Sequence, residues 1–298
     1  MSKIDPKHEK AYTPSEWSKR LLSLELMTKF LELSQQTVTH VRSTVPNELD
    51  ITYGPSERMK YDIYGTNLPG DAPVLIFIHG GYWQEFTKNL AAFHVPIPVS
   101  KGIKVINIGY NLCPEVTLSD IVVEIKQVIE KLLKICQKNG CNNVWIMGHS
   151  AGAHLAASIL YDREWQTMME QQQRTFQLIK GIILVGGIYS LQPLLTTSFN
   201  DALKLTEHEV KTLSFNNLDM NEVKAISGMK VIVTVGECDA PKFVEESQNY
   251  SKKLLEFIDR VEFILLRNNI DHFNIIENLL DSNFLLTKII INNIKYQC

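Results

Sequence analysis

The sequence predicts a doubly wound α/β fold on a mostly parallel sheet, and three observations lead there. Short, continuously apolar runs recur along the chain, amphipathic helical patterns lie between most of them, and glycine-rich turns close two of the runs. A strand covered on both faces has no polar side to show, so it reads as an unbroken apolar run and not as an alternation. The runs are Val74–Ile78, 105–108, 144–147, 182–185, 231–235 and 261–266. The clearest helix is 118–138, where Ile121, Ile125, Ile129 and Leu132 recur at three- or four-residue spacing and Gly140 follows as a stop.

Before this rhythm begins, residues 13–40 read as helical. Thr13-Pro14-Ser15-Glu16 looks like a capping box with proline in the first turn, and Trp17, Leu21, Leu22 and Leu24 give it an apolar side to pack. Two strands at 51–53 and 59–64, with Gly54-Pro55 turning between them, are expected at the sheet edge. Residues 187–228 break the alternation with Pro193, a Thr/Ser/Asn cluster and a short helical stretch around 207–213, and are expected to form a cap-like insertion over the site. There are no internal repeats.

The 298 residues suit a single domain spanning 1–298, and 45% hydrophobic with 21% charged residues is ordinary for a packed globule. A net charge of −3 without a long basic run gives no reason to expect a nucleic-acid partner. No stretch has the apolar length of a membrane helix, and the charged start Met1-Ser2-Lys3 lacks the apolar region of a secretion signal. Five cysteines in no metal or secreted spacing read as reduced thiols, so a cytoplasmic location is expected.

Gly148-His149-Ser150-Ala151-Gly152 has the form G-x-S-x-G, a weak signal alone. Here a strand runs into it and a helical pattern, 153–161, leaves it. That context is what the chemistry needs: a sharp strand-to-helix turn lifts the hydroxyl above the sheet, and the helix N-terminus brings partial positive charge to a developing oxyanion. The plainer alternative is a serine that merely starts a helix. His79-Gly80-Gly81-Tyr82-Trp83 closes the strand Val74–Ile78, two strand–helix units earlier. Acyl transfer passes through an oxyanion, which preorganised N–H groups stabilise. The amides of Gly80, Gly81 and Ala151 are the expected donors. Tyr82 and Trp83 are either core aromatics or walls of the substrate pocket.

A serine hydroxyl needs a base, and the base an orienting acid, in the chain order serine, acid, histidine. Only His208 and His272 follow the insertion's start. His208 sits in a charged helical patch, whereas His272 follows the run 261–266 in Asn269-Ile270-Asp271-His272-Phe273, so His272 is the expected base. Asp239 in Gly236-Glu237-Cys238-Asp239 directly follows the run 231–235 and is the expected acid, with Glu237 in the same loop as runner-up. Asp271 is expected to cap its own loop. His149 and His154 flank the serine without a carboxylate pattern that would make them metal ligands, and His79 is expected to brace its loop. Together these parts describe an α/β-hydrolase with no cofactor and no metal.

Several longer stretches carry a narrower resemblance: Tyr12-Thr13-Pro14-Ser15-Glu16-Trp17, Met59-Lys60-Tyr61-Asp62-Ile63-Tyr64, His79 to Gln84, Gly148 to Leu155, Gly187-Ile188-Tyr189-Ser190-Leu191 and Asp271-His272-Phe273. With these the chain resembles the kynurenine formamidases (arylformamidases) along nearly its full length. Ser190 departs from the pattern, which has Asp after the Tyr. The resemblance implies hydrolysis of N-formyl-L-kynurenine to L-kynurenine and formate by Ser150, Asp239 and His272. The implied partner is a small-molecule substrate, with no membrane or nucleic acid, and monomer and homodimer are both open. Two rivals share the same parts: a general carboxylesterase of the hormone-sensitive-lipase type, and an α/β-hydrolase kept only as a binding module.

Overall fold

A computed structural model describes residues 4–171, 175–217, 223 and 225–296. Its centre is an eight-stranded sheet of order β1-β2-β4-β3-β5-β6-β7-β8, formed by Asn47–Thr52, Lys60–Tyr64, Val74–Ile78, Lys104–Ile108, Val144–His149, Ile179–Val185, Ile226–Gly236 and Ile258–Leu266 in turn. The pairs β1–β2 and β2–β4 are antiparallel. All others are parallel. The apolar runs land where expected: every residue of β3 and β5 is buried, because helices cover both faces. At one edge β1 alternates half-buried and exposed residues, and at the other β8 leaves much of its surface to solvent.

Helices Leu118–Lys138, Ala151–Ser158 and Pro241–Leu254 pack on one face through Ile125, Leu132, Leu155 and Tyr250. Helices Ser23–Thr44 and Leu285–Tyr296 cover the other through Phe30, Val38, Val41, Ile290 and Ile294. The helix Leu118–Lys138 has the expected bounds and starts in a capping box between Thr117 and Asp120.

The first forty residues differ from the sequence expectation. Pro14–Glu16 is only a 3-10 turn, and Thr13 makes no side-chain cap. The Thr13 hydroxyl donates instead to the Glu9 carbonyl, 2.7 Å away, closing the short helix Pro6–Ala11. The long helix starts nine residues later and runs Ser23–Thr44. The local signal was outweighed by long-range bonds: Ser18 and Arg20 are tied to Asp271, which holds residues 17–22 out of a helix. Within 187–228, the short helix Glu207–Leu213 is where it was expected, while residues 218–222 and 224 lie outside the described set.

Candidate active site

Strand β5 ends at His149 and a helix begins at Ala151, so the chain must reverse within one residue. Ser150 does this at φ 57° and ψ −122°, a conformation an L-residue adopts only when its surroundings impose it. The Ser150 N–H donates to the Val185 carbonyl at 2.8 Å, which fastens the turn to the neighbouring strand. A Cβ on Gly152 would stand 2.1 Å from the Ile78 carbonyl oxygen, and a Cβ on Gly80 would stand 2.8 Å from the Ser150 Cβ. The two loops touch backbone to backbone, and only glycine permits it.

The loop after β3 is held under strain beside this serine. Gly81, Tyr82, Trp83 and Phe86 all have positive φ. His79 braces the loop: its Nδ1 lies 2.8 Å from the Gly80 carbonyl and its ring stacks on Tyr110 at 4.3 Å. A carbonyl can only accept, so Nδ1 carries the proton, and burial lowers the pKa of the ring to about 4. Among the described residues neither Gly80 nor Gly81 donates its N–H to another protein group. Ala151, first in its helix, has no carbonyl one turn back to bind. Among the described residues the amides of Gly80, Gly81 and Ala151 are thus left without a backbone acceptor.

Asp239 and His272 meet from separate loops. His272 Nδ1 lies 2.8 Å from Asp239 Oδ2, and both side chains are buried. The other Asp239 oxygen accepts the Ala240 N–H at 2.7 Å. A carboxylate at Nδ1 fixes the proton there and leaves Nε2 as the basic nitrogen. Ser150 and His272 line the same cavity, though no direct hydrogen bond joins the hydroxyl to the imidazole among the bonds of the described residues. Glu237 is turned elsewhere and accepts the Asn269 N–H at 2.9 Å. His208 is exposed on its helix.

His149 and Arg20 make contacts around the candidate site that the sequence did not foretell. His149 Nε2 donates to the His272 carbonyl at 2.9 Å, and the two rings lie 4.6 Å apart. Burial, then the repulsion of His272, holds the pKa of His149 well below its ordinary value, so it stays neutral beside the base. On the other side, Asp271 Oδ1 accepts the N–H groups of Phe273 and Asn274 at 2.9 and 2.8 Å, the expected loop cap. Its Oδ2 takes Ser18 Oγ at 2.6 Å and Arg20 Nε at 2.8 Å. Arg20 also reaches Glu277 at 2.8 Å. Burial works to raise the Asp271 pKa, but the hydrogen bonds from Arg20 and Ser18 prevail and hold it below the ordinary range. Nothing local in the sequence joins Arg20 to a residue 251 positions away.

A cavity of about 220 Å³ opens in front of Ser150. Phe30, Phe77, Phe86, Phe93 and Phe273 give its walls much of their apolar surface. Tyr82 lines it, stacked on Phe199 at 3.8 Å, with its hydroxyl donating to the Tyr12 carbonyl. Trp83 does not line it; the ring is fully buried, edge-on to His154 at 5.0 Å. Of residues 187–217 only Phe199 reaches the lining, whereas the N-terminal region supplies Thr13, Pro14, Ser15, Met27 and Phe30. A second buried carboxyl ties these two regions together. Glu246 accepts the N–H of Tyr189 at 2.6 Å, that of Ser190 at 2.9 Å, and the Tyr12 hydroxyl. Burial pushes its pKa up to about 7 against those donors.

Residues 61–249 match the BD-FAE family. A kynurenine formamidase of Danio rerio is 33% identical over 288 residues, covering 96% of this chain and 95% of the relative. One from Salmo salar is 32% identical, covering 95% and 94%. Among solved structures, a hyperthermophilic esterase from Pyrobaculum calidifontis superposes with a TM-score of 0.68 at 15% identity, covering 92% of this chain and 93% of that one; at that identity the likeness is one of fold.

Proposed function

We infer the reaction from one premise: the chain belongs to the kynurenine formamidase family and, with it, to the BD-FAE group of α/β-hydrolases. The chain is a hydrolase, and its proposed reaction converts N-formyl-L-kynurenine and water to L-kynurenine and formate. The observation that carries the mechanism is the His272–Asp239 bond of 2.8 Å opening, with Ser150, onto one cavity. His272 Nε2 takes the Ser150 proton as Oγ attacks the formyl carbon. The oxyanion is held by the amides of Gly80, Gly81 and Ala151, and a donor of this kind is worth about 3 kcal/mol. Asp239 keeps the imidazole in the tautomer this needs and stabilises the imidazolium.

The carbon–nitrogen bond then breaks as His272 returns the proton to the aryl amine nitrogen, leaving a formyl ester on Ser150. Water, deprotonated by His272, attacks that ester and releases formate. Formyl is the smallest acyl group, which suits a loop packed as closely on Ser150 as the Gly80 turn is. The larger aromatic chamber suits the aryl leaving group, with Tyr82 as one wall. Formation of the Ser150–His272 hydrogen bond is expected on substrate binding, since catalytic bonds commonly tighten only in the loaded enzyme.

The test is release of formate and kynurenine from N-formylkynurenine by the purified protein, run beside a short aryl acetate. Faster turnover of the ester by orders of magnitude would favour the carboxylesterase reading. The proposal includes a cytoplasmic location and a small-molecule partner; no helix among the described residues is long and apolar enough to cross a membrane.

A further inference from the structure

The cavity in front of Ser150 is charged on one side of the ledger only. Among the described residues Glu85 is the only carboxylate in its lining, and no lysine or arginine lines it. Glu85 follows the glycine turn, its N–H bound to the Gly81 carbonyl at 2.8 Å, and it is exposed at the rim. Among the described residues its carboxylate has neither a salt bridge nor a side-chain hydrogen bond.

The basic groups around this loop are committed elsewhere. Lys88 is buried between Asp50 at 2.7 Å and Asp62 at 2.5 Å. Arg42 binds Asp62 at 3.2 Å and Asn89 at 2.6 Å. Arg20 is held by Asp271 and Glu277. Arg58 donates to the Phe86 carbonyl at 3.2 Å and lies outside the lining. His94, which also lines the cavity, is a neutral ring. The Asn107 amide nitrogen donates to the Ala91 carbonyl, so Asn107 Oδ1 is an acceptor, and His94 Nε2, 2.8 Å away, must carry the proton. Burial keeps this ring neutral, with Nδ1 left as a lone-pair acceptor.

A chamber with a free carboxylate at its mouth and no fixed cation in its lining attracts a positive ligand and repels a negative one. We propose that Glu85 is a specificity-determining residue that reads an ammonium group on the substrate, so that the site selects aryl formamides carrying a positive amine and gains nothing from a carboxylate. This rests on the formamidase reading and goes beyond it: of the two charged groups of an amino-acid substrate, the enzyme recognises the ammonium and tolerates the carboxylate.

The experiment uses the full chain and four ring-matched ortho-formamidophenyl ketones: one with an ammonium and a carboxylate, one with each alone, and one with neither. The ammonium-only compound should show the highest kcat/KM and the carboxylate-only compound the lowest. The ratio between these two should fall on the order of tenfold in Glu85→Gln, as expected for a partly solvated ion pair gained in one compound and a repulsion lost in the other. It should invert in Glu85→Lys and shrink with added salt. Circular dichroism of both variants checks the fold. A ratio unchanged in Glu85→Gln, or a wild-type preference for the carboxylate-only compound, overturns the inference. If no formamide is turned over but aryl acetates are, the formamidase reading fails instead, and ammonium- and carboxylate-bearing aryl acetates then decide Glu85 by the same ratio.

Discussion

The N-terminal segment 5–20 and the segment 187–217 both lie over the carboxyl ends of the strands, but they act on different parts of the site. The first lines the cavity with Thr13, Pro14 and Ser15 and then grips the loop of His272 through Ser18 and Arg20. The second offers the cavity only Phe199 and is itself held through Tyr189 and Ser190, whose amides bind Glu246. The two meet where the Asp5 N–H donates to the Thr196 carbonyl at 2.8 Å and Glu9 accepts the Ser198 N–H at 2.7 Å. An insertion between strands is the conventional place to look for a cap. Here a segment far from Ser150, Asp239 and His272 in sequence takes more of that role, because its contacts fall on the loop of His272.

Six substitutions at five positions break or sharpen this contrast. Ser150→Ala removes the proposed nucleophile, beside which both segments lie. Turnover should fall by about 10³-fold or more, with the thermal midpoint nearly unchanged. Full activity in that variant would end the mechanism. Arg20→Ala should lower kcat about tenfold with a smaller change in KM, since it moves the base and not the substrate wall. It should also cost about 2 kcal/mol, because Asp271 loses a charged donor while buried. Arg20→Lys should restore part of the kcat, and a fall in KM-related binding alone would show that the strap acts only as a lid.

Acid and base should act on the two segments in opposite senses. Asp271 has its pKa lowered from 3.8, so its stabilising contribution is complete above that value and is lost as the pH falls below it. Glu246 has its pKa raised from 4.5 to about 7, so its contribution is complete below 4.5 and is lost as the pH rises through about 7. Urea midpoints measured across pH should show a shallower acid limb in Asp271→Asn and a shallower decline between 4.5 and about 7 in Glu246→Gln. The smallest effect belongs to the insertion. Phe199→Ala removes one ring stacked on Tyr82 and should raise KM about threefold while leaving kcat in place. A large fall in kcat there would mean that the second segment also orders the catalytic groups.

The sequence by itself determined the sheet, the turn at Ser150 and the glycine loop at Gly80 and Gly81. Each of these is written in a run of neighbours: continuous apolar residues where a strand is covered on both sides, and glycines where two backbones touch. It also picked Asp239 over Glu237 from its place after β7, and the coordinates bring Asp239 to the His272 ring. Only the tertiary structure decided what surrounds those groups. Residues 13–22 carry an N-terminal helix signal, yet Asp271 draws Ser18 and Arg20 away from helix geometry. Tyr82 and Trp83 are adjacent and equally aromatic, but one faces the cavity and the other is packed on His154. Local propensity is worth tenths of a kcal/mol per residue, whereas a buried charge or a large ring settles where its partners are. Partners 251 residues apart leave no pattern that a single chain can be read for.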